Sequence, residues 1–394
     1  MKQQSRKRKN YNMLCEIRDQ FPNDILSDEG GLHISLYQPT HRHLPENKQD
    51  IIEYKNLLRE IVNSLKQKKE PNIDPIMEPF YQLEKDREFW NNTSDGIAVL
   101  ADQNKFIVYH LGSPVKAFAA ANNRFHIIPL IKAFQSIENY QLLVLSQNNF
   151  TLYQGNRYGF SEIEIDPDIP RTLGDVLGNQ KTNPSLSEGS FGGVGRPAVY
   201  HGQGDKKAED DKDTEKYFRY VDEYVDNNYS KKSKLPLILV SLMEYHTLFK
   251  KLSNNAYLIE ESIDYASDSI ETEHLLSKVM EVIKSLNLEK TEMIIAAYKK
   301  AEAESMGSSD LVQVVKAACE SQVETILIEE NRIVEGTIDN STGTIKSEDK
   351  DDSDCGDVLD SLAEAVLKRK GNVVIIPKDK MPDTTGVAAI YRYN

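Results

Sequence analysis

The chain has 394 residues, and its ionisable side chains give a formal net charge of −14 at pH 7. This length is enough for two or three domains, each with a core of its own. The composition, with 39% hydrophobic and 28% charged residues, is that of a folded globular protein and excludes collagens, coiled-coil filaments and disulfide scaffolds. Because the acidic balance repels polyanions, contact with nucleic acid is expected only at local sites.

The cysteines and the N-terminal segment bear on the cellular compartment. Cys15, Cys319 and Cys355 are widely spaced and form no C-x-x-C pair. We therefore expect reduced thiols in a cytoplasmic protein, without a disulfide framework or a structural zinc site. The basic start of the chain is not followed by an apolar stretch, and no window resembles a membrane-spanning helix. Neither a signal peptide nor a membrane partner is therefore predicted.

Residues 1–137 are predicted to form an N-terminal α/β domain. Apolar residues recur at three- and four-residue steps from Ile51 to Leu65, which predicts one buried face of a long helix. Two β-rich runs on either side of a polar turn predict neighbouring strands. The predicted elements in chain order are a strand at 34–37, the long helix from 49, a shorter helix at 77–89 and strands at 96–100 and 106–109.

Residues 138–268 are predicted to form a middle α/β domain. The uninterrupted apolar run at 235–242 predicts a buried parallel strand, and the alternation of strands and helices predicts βαβ crossovers. The predicted elements are a hairpin of strands at 142–145 and 150–153, a third strand at 157–165, a helix from 217, the parallel strand and a helix at 242–252.

A long segment, residues 179–216, interrupts the middle domain. It is rich in Gly, Ser and Asn at first and almost wholly charged from Asp205 onward. Because a loop of this length is uncommon in a compact domain, we expect it to be either functional or disordered. Within it, the motif His201-Gly202-Gln203-Gly204 places a glutamine between two glycines, which lets the backbone adopt positive φ and approach another molecule closely. A flexible connector is the alternative.

Residues 269–394 are predicted to form a C-terminal α/β domain. Apolar periodicity predicts three consecutive helices at its start, and β-rich runs follow them. The predicted elements are helices at 275–286, 293–301 and 311–318, strands at 323–328 and 332–338, an acidic loop at 339–357, a helix at 359–366, a strand at 373–376 and an edge strand at 386–393.

Other motifs for metal or cofactor chemistry lack their structural context. The stretch Gly193–Ala198 fits a dinucleotide-binding pattern, but no good strand precedes it. The chain contains no P-loop and no nucleophile elbow. His41 and His43 lack clustered carboxylates, and the acidic stretch at 348–357 does not fit the EF-hand pattern. We therefore expect neither a metal nor a cofactor.

Several segments carry a family resemblance. They are Ser35–Arg42, the helix start Gln49–Leu58, Leu142–Gly155, Tyr200–Gly204 with the following Tyr217–Asp222, and the strand Pro236–Leu242. In this order they resemble the archaeo-eukaryotic peptide-chain release factor and Pelota superfamily, and more narrowly its bacterial branch. The resemblance implies three α/β domains in a row, the C-terminal one similar to a small αβα ribosomal-type RNA-binding fold.

The resemblance also implies a chemistry for the glutamine motif. In that superfamily a Gly-Gly-Gln loop of the middle domain enters the ribosomal peptidyl-transferase centre, where the peptidyl-tRNA ester is hydrolysed. By resemblance, Gln203 positions the water or the oxyanion, and Gly202 is the backbone hinge before it. His201 stands where the family has its first glycine, and Gly204 follows the glutamine. The codon-reading motifs of the family's N-terminal domain are not recognisable in this chain.

The sequence leaves two functions open. The first is a termination, rescue or hibernation factor that inserts residues 201–204 toward the peptidyl-transferase centre, where it promotes peptidyl-tRNA hydrolysis. The second is a non-catalytic ribosome-binding, RNA-binding or protein-interaction factor, so whether the protein is an enzyme is left open. The expected partners are the ribosome, through rRNA and tRNA, and a GTPase, but not DNA. Arg42, Lys206 and Lys207 are the expected phosphate contacts.

Overall fold

The computed structural model describes residues 15–18, 21–27, 31–42, 45–71, 73–137, 139–178, 203–265, 272–339, 341–346 and 356–393. Contacts within the chain divide it into two compact units. One, called the discontinuous unit, combines Met1–Ser136 with Leu288–Asn394. The other, called the middle unit, comprises Ile137–Asn287.

The N-terminal part of the discontinuous unit is a five-stranded sheet with four helices. Its strands are β1 (Cys15–Arg18), β2 (His33–Pro39), β3 (Gly96–Ala101), β4 (Phe106–Leu111) and β5 (Phe118–Asn122). Its helices are α1 (Asn47–Gln67), α2 (Asp74–Lys85), α3 (Arg87–Trp90) and α4 (Ile128–Gln135). The strand order is β1-β4-β3-β2-β5, and the pairs are antiparallel except for β1 with β4. The three strands and the long helix predicted here are confirmed.

Helix α1 forms because apolar side chains recur along one face, as the sequence spacing predicts. Its buried apolar residues are Tyr54, Leu57, Leu58, Ile61 and Leu65. They share one core with Phe80 of α2 and Trp90 of α3. The single helix predicted at 77–89 is instead two helices, because Asp86 leaves the helical conformation and its carboxylate caps the Phe89 N–H at 3.0 Å.

The C-terminal part of the discontinuous unit is a four-stranded sheet between helices. Its sheet strands are β11 (Gly307–Ser308), β12 (Val323–Glu329), β15 (Asn372–Ile376) and β16 (Val387–Tyr391), in the order β11-β16-β12-β15. A separate hairpin joins β13 (Thr337–Asp339) and β14 (Thr344–Lys346). Its helices are α10 (Leu311–Cys319) and α11 (Val358–Lys368), which pack on one face of the sheet, and the second half of α9 (Thr272–Ala303), whose Tyr298 packs on the other. The first half of α9 packs Leu275 and Val279 into a core of the middle unit.

Three predictions for this part are wrong. Helix α9 is continuous where two helices were predicted, because the residues between 286 and 293 include no Gly or Pro to end it. Of the predicted strand at 332–338, only its last two residues are in a strand, and that strand pairs with β14 rather than with β12. The closing strand β16 lies between β11 and β12 and not at an edge, since Val387, Ala388 and Ala389 are fully buried.

One hydrophobic core joins the N- and C-terminal parts of the discontinuous unit. It combines Tyr37, Leu100, Phe125 and Ile131 with Val315, Leu359, Leu362 and Val387. Because both ends of the chain supply this core, residues 288–394 belong to the same compact unit as residues 1–136. The division into three domains at residues 137 and 268 stays a prediction.

The middle unit is a second five-stranded α/β sheet. Its strands are β6 (Asn139–Leu145), β7 (Phe150–Asn156), β8 (Gly159–Glu162), β9 (Leu237–Ser241) and β10 (Leu258–Asp264), in the order β10-β9-β6-β7-β8. Its helices are α5 (Leu173–Leu177), α6 (Gln203–Val225), α7 (Lys231–Ser233) and α8 (Met243–Leu252). Strands β6, β9 and β10 are parallel, while β6, β7 and β8 form antiparallel pairs. The predicted hairpin, the parallel strand and the α/β class are confirmed.

The two ends of the middle unit are tied to each other. The Ile137 N–H donates to the Asn287 side-chain oxygen at 2.9 Å, and the Asn287 amide donates back to the Ile137 carbonyl at 3.5 Å. The chain therefore enters and leaves this unit at one place.

Candidate functional site

Helix α6 and the ends of the parallel strands form the candidate site of the middle unit. The carboxyl ends of these strands, at Leu145, Ser241 and Asp264, define what we call the carboxyl edge. Because α6 is the crossover between the parallel strands β6 and β9, it runs against their direction and begins on the side of this edge. In α/β sheets, ligands bind at this edge.

The C-terminal half of α6 is fixed firmly to the sheet. Its buried apolar side chains are Tyr217, Phe218, Val221 and Val225. The Tyr217 hydroxyl donates to the Arg171 carbonyl at 2.7 Å, and the Tyr220 hydroxyl donates to the Pro170 carbonyl at 3.1 Å. Burial raises the pKa of Tyr217 well above its usual value, so this phenol stays a protonated donor at neutral pH.

The middle of α6 is level with the carboxyl edge. In the turn after β6, Gln147 donates from Nε2 to the Thr214 hydroxyl at 3.3 Å. Thr214 and Asp213 are both buried, and Asp213 accepts from Lys216 at 3.0 Å. Since a helix rises about 1.5 Å per residue, the first residue of α6 lies about 16 Å along the axis from Thr214. The N-terminal half of α6 therefore extends beyond the edge.

The structure places four of the predicted site residues in the first two turns of α6: Gln203, Gly204, Lys206 and Lys207. The other two residues of the motif, His201 and Gly202, lie outside the described residues. The first four backbone N–H groups of a helix have no partner within it, and the helix dipole adds partial positive charge at this end. The start of α6 therefore offers hydrogen-bond donors to a group that carries negative charge.

The predicted loop at 179–216 is wrong in its second half. Residues 203–216 are helical, so the charged run from Asp205 belongs to α6, and residues 179–202 lie outside the described residues. The run contains Lys, Ala and Glu, which favour helix, and acidic residues near its start match the helix dipole. High charge was therefore not evidence for a loop.

Asp222 also holds α6 in place, although it carries no role in the sequence-based prediction. Its carboxylate accepts from the Ser253 hydroxyl and, at 2.9 Å, from the Asn254 N–H, both in the turn after α8. Burial raises the pKa of Asp222, and the two hydrogen bonds partly offset this effect. The sequence signal for Asp222 is an acidic residue next to the apolar face of a helix. Such a carboxylate is expected to have a partner, because buried carboxylates are nearly always paired.

Arg42 belongs to the discontinuous unit and not to the middle unit. Its Nε donates to the Asp95 carboxylate at 2.9 Å, and both side chains are partly exposed. The neighbouring His41 hydrogen-bonds through Nδ1 to the fully buried Asp50 at 2.6 Å, and this bond raises the pKa of His41. The phosphate contact at Arg42 stays a prediction.

The described part of the chain bears on metal binding and on membrane insertion. No group of three or more His, Cys, Asp or Glu side chains is placed there to hold a metal ion. Over the same ranges, no helix combines the length and apolar character needed to cross a bilayer. Cys319 is a free, partly buried thiol whose pKa is raised by burial.

A segment that contains most of the middle unit is similar to a known family. Residues 139–322 match the model of bacterial archaeo-eukaryotic release factor family 3. This match spans just under half of the chain and includes every strand of the middle sheet together with α6. It confirms the predicted resemblance to the release factor and Pelota superfamily.

Solved structures of this superfamily are similar to the chain at low sequence identity. An archaeal translation termination factor, aRF1, is 13% identical, with 92% of this chain and 93% of that chain covered and a TM-score of 0.25. Archaeal Pelota, in a model of ribosome-bound Pelota and ABCE1, is 11% identical over 76% and 78% of the two chains, with a TM-score of 0.40. S. cerevisiae Dom34, a translation termination-like factor, is 12% identical over 72% and 77%, with a TM-score of 0.39. No curated protein matches the chain.

Proposed function

We propose that the protein is a ribosome-associated, release-factor-like translation factor that acts in termination, rescue or hibernation. In this proposal the segment 201–204, at the start of α6, is inserted toward the peptidyl-transferase centre. The observation that carries it is the position of Gln203 within the release-factor-family segment. There it begins a helix whose other half is fixed to the sheet and whose first half extends beyond the carboxyl edge.

The proposed reaction is hydrolysis of the peptidyl-tRNA ester. A water molecule attacks the ester carbonyl carbon, negative charge develops on the carbonyl oxygen, and the bond to the tRNA ribose oxygen then breaks. A proton of the water passes to that ribose oxygen, so the products are a peptide with a free carboxyl group and a tRNA with a free ribose hydroxyl. A backbone N–H at the start of α6 stabilises the oxyanion, and the Gln203 amide orients the water. The contacts of Gln147, Tyr217 and Asp222 hold α6 rigid, which limits the entropy that is lost when the end of the helix is positioned.

Replacing the glutamine tests the proposal directly. Gln203→Ala is expected to slow peptide release from stalled ribosomes by more than about tenfold, which corresponds to about 1.4 kcal/mol of activation free energy. The measurement is single-turnover release of labelled peptide from purified ribosome complexes that carry peptidyl-tRNA. Because water attack depends on its orientation, the loss is expected in the rate constant rather than in the protein concentration that half-saturates the ribosomes.

A matched control lies on the same helix. Lys212→Gln changes an exposed residue of α6 and is expected to leave release unchanged. Absence of release by the unmodified protein, or an equal rate for Gln203→Ala, would overturn the hydrolytic role.

The second candidate is a non-catalytic factor that occupies the ribosome without hydrolysis. The sequence feature that favours it is His201, a residue with a side chain where the family has a glycine, because a Cβ restricts the backbone conformations open to the motif. This candidate predicts that the protein co-sediments with ribosomes and that Gln203→Ala co-sediments equally well. Protein that stays at the top of the sucrose gradient would exclude both candidates.

The proposed partners follow from the same role. They are the ribosome, through rRNA and tRNA, and a GTPase, and the proposed phosphate contacts are Arg42, Lys206 and Lys207. Lys206 and Lys207 lie in the first two turns of α6, on the segment that would enter the ribosome. Arg42 would contact RNA independently of that segment, because it belongs to the other unit.

A further inference from the structure

A partly buried pair of His126 and Asp360 connects the N- and C-terminal parts of the discontinuous unit. His126, just before α4, hydrogen-bonds through Nδ1 to Asp360 in α11. The His126 side chain is 25% exposed and the Asp360 side chain only 7%. The two residues are 234 positions apart in the chain, so this contact exists only when both parts are folded together.

Asp360 also caps helix α4. Its Oδ1 accepts from the N–H groups of Ile127 and Ile128 at 2.9 and 3.0 Å. The first N–H groups of a helix have no partner within it, and here the partner comes from a helix at the other end of the sequence. The carboxylate therefore serves the histidine and the start of α4 at the same time.

A second carboxylate lies beside this pair. Asp357 caps α11, and its Oδ1 accepts from the N–H groups of Val334 and Leu359 at 3.1 and 3.0 Å. Its other oxygen is buried and has no hydrogen-bond partner in the described part of the chain. Burial, together with the charge of Asp360, raises the pKa of Asp357 to about 6.

The described residues around this cluster supply little further charge compensation. The Tyr37 hydroxyl donates to the His126 carbonyl, and the Phe118 ring lies 4.5 Å from the imidazole. Arg124 is 3.4 Å from Glu364, which also pairs with Lys368 at 2.8 Å. Among the described residues, His126 is therefore the cation that faces Asp357 and Asp360, while Arg124, Glu364 and Lys368 pair among themselves.

We propose that His126, Asp360 and Asp357 form a proton-dependent latch between α4 and α11. With a proton on each of His126 and Asp357, the cluster is neutral and Asp360 caps α4. When these protons are lost, two carboxylates remain buried beside an uncharged ring. Their repulsion and poor solvation weaken the contact between the two helices.

The direction of the pH dependence follows from the two groups that titrate. Burial, the largest single effect, lowers the pKa of His126, but the hydrogen bond to Asp360 and the negative charges of Asp360 and Asp357 together outweigh it and raise this pKa. Because the pKa of His126 is raised while it contacts Asp360, protonation of His126 stabilises this closed contact at low pH. The stabilisation is lost as the pH rises through the raised pKa. The raised pKa of Asp357 means that its ionisation, between about pH 4 and pH 6, also disfavours the closed contact. Both groups therefore weaken the latch as the pH rises.

Amide hydrogen exchange at Ile127 and Ile128 tests the latch, because these are the N–H groups that Asp360 caps. The full-length protein is studied from pH 5 to 8.5, and rates are divided by the intrinsic exchange rate at each pH. The opening constant is the ratio of molecules in which Asp360 has left the two N–H groups (open) to molecules in which it caps them (closed). It is expected to rise with pH, by up to about tenfold for each unit by which a pKa differs between the closed and open states. The assay needs no ribosome, so its outcome is independent of the proposed function.

Two variants separate the contributions of the titrating groups. His126→Gln is expected to raise the opening constant at low pH and to flatten its rise above pH 6. Asp357→Asn keeps the oxygen that accepts the two hydrogen bonds. It is expected to flatten the rise of the opening constant only below pH 6. It also keeps the test valid if the histidine variant does not fold.

A matched control lies in the same contact. Lys132→Gln removes the exposed pair of Lys132 with Glu330, which also links the two parts of the unit, and it is expected to preserve the full pH dependence. Opening that does not depend on pH in the unmodified protein would overturn the latch. So would an equal pH dependence in the unmodified protein and in both His126→Gln and Asp357→Asn.

Discussion

Asp360→Ala is expected to lower the free energy of unfolding of the discontinuous unit by about 3–5 kcal/mol. The substitution leaves the His126 imidazole and the first N–H groups of α4 without their partner, in a place where water replaces the carboxylate poorly. Urea unfolding followed by Trp90 fluorescence measures this loss. Trp90 is the single tryptophan of the chain and is buried in this unit, so its emission reports on the discontinuous unit alone.

The control for this substitution is an aspartate of the same unit that is exposed. Asp379→Ala is expected to change the free energy of unfolding by less than about 0.5 kcal/mol. If Asp360→Ala cost less than about 1 kcal/mol, the carboxylate would not be what holds the two ends of the chain together.

Gly155→Ala is expected to destabilise the middle unit by about 2 kcal/mol. Gly155 lies in β7 directly between Tyr140 of β6 and Phe160 of β8. An added Cβ would lie 2.7 Å from the Gly159 carbonyl oxygen, 2.7 Å from the Phe160 Cβ and 2.8 Å from the Tyr140 ring. Because the first of these atoms belongs to the backbone, the clash is relieved only if the strands move apart.

Native-state hydrogen exchange of the β6 amides, without denaturant, measures the effect. A loss of about 2 kcal/mol corresponds to exchange about 30-fold faster. Ser161→Ala, at an exposed position of β8, is the control and is expected to exchange like the unmodified protein. Unchanged exchange in Gly155→Ala would mean that the sheet adapts to the added methyl group at no cost.

Local sequence patterns are enough to predict the secondary structure that faces a core. The spacing from Ile51 to Leu65 predicts α1, and the apolar run at 235–242 predicts β9, because both depend only on which side chains are buried. Polar helices escape this reasoning. The charged first half of α6 and the junction inside α9 have no apolar period, so the sequence predicts a loop for the first and a break between helices for the second.

The candidate site could be predicted only in part. The Gly202-Gln203 motif is visible in the sequence, and the structure adds that Gln203 begins a helix. The residues that fix this helix, such as Gln147 and Asp222, depend on contacts with segments distant in sequence. The pair of His126 with Asp360 shows the same limit, since an aspartate in an amphipathic helix looks like an ordinary solvent-facing residue until its partner is known.

The hydrogen bonds between Ile137 and Asn287 have a thermodynamic consequence for folding. The middle unit is inserted in the sequence of the discontinuous unit. While the middle unit is folded, its ends are held together, so the discontinuous unit loses little chain entropy when it folds around this insertion. If the middle unit unfolds, the same stretch becomes a flexible loop of about 150 residues, whose closure costs about 3 kcal/mol more than that of a four-residue turn. Folding of the middle unit therefore stabilises the discontinuous unit through chain connectivity alone.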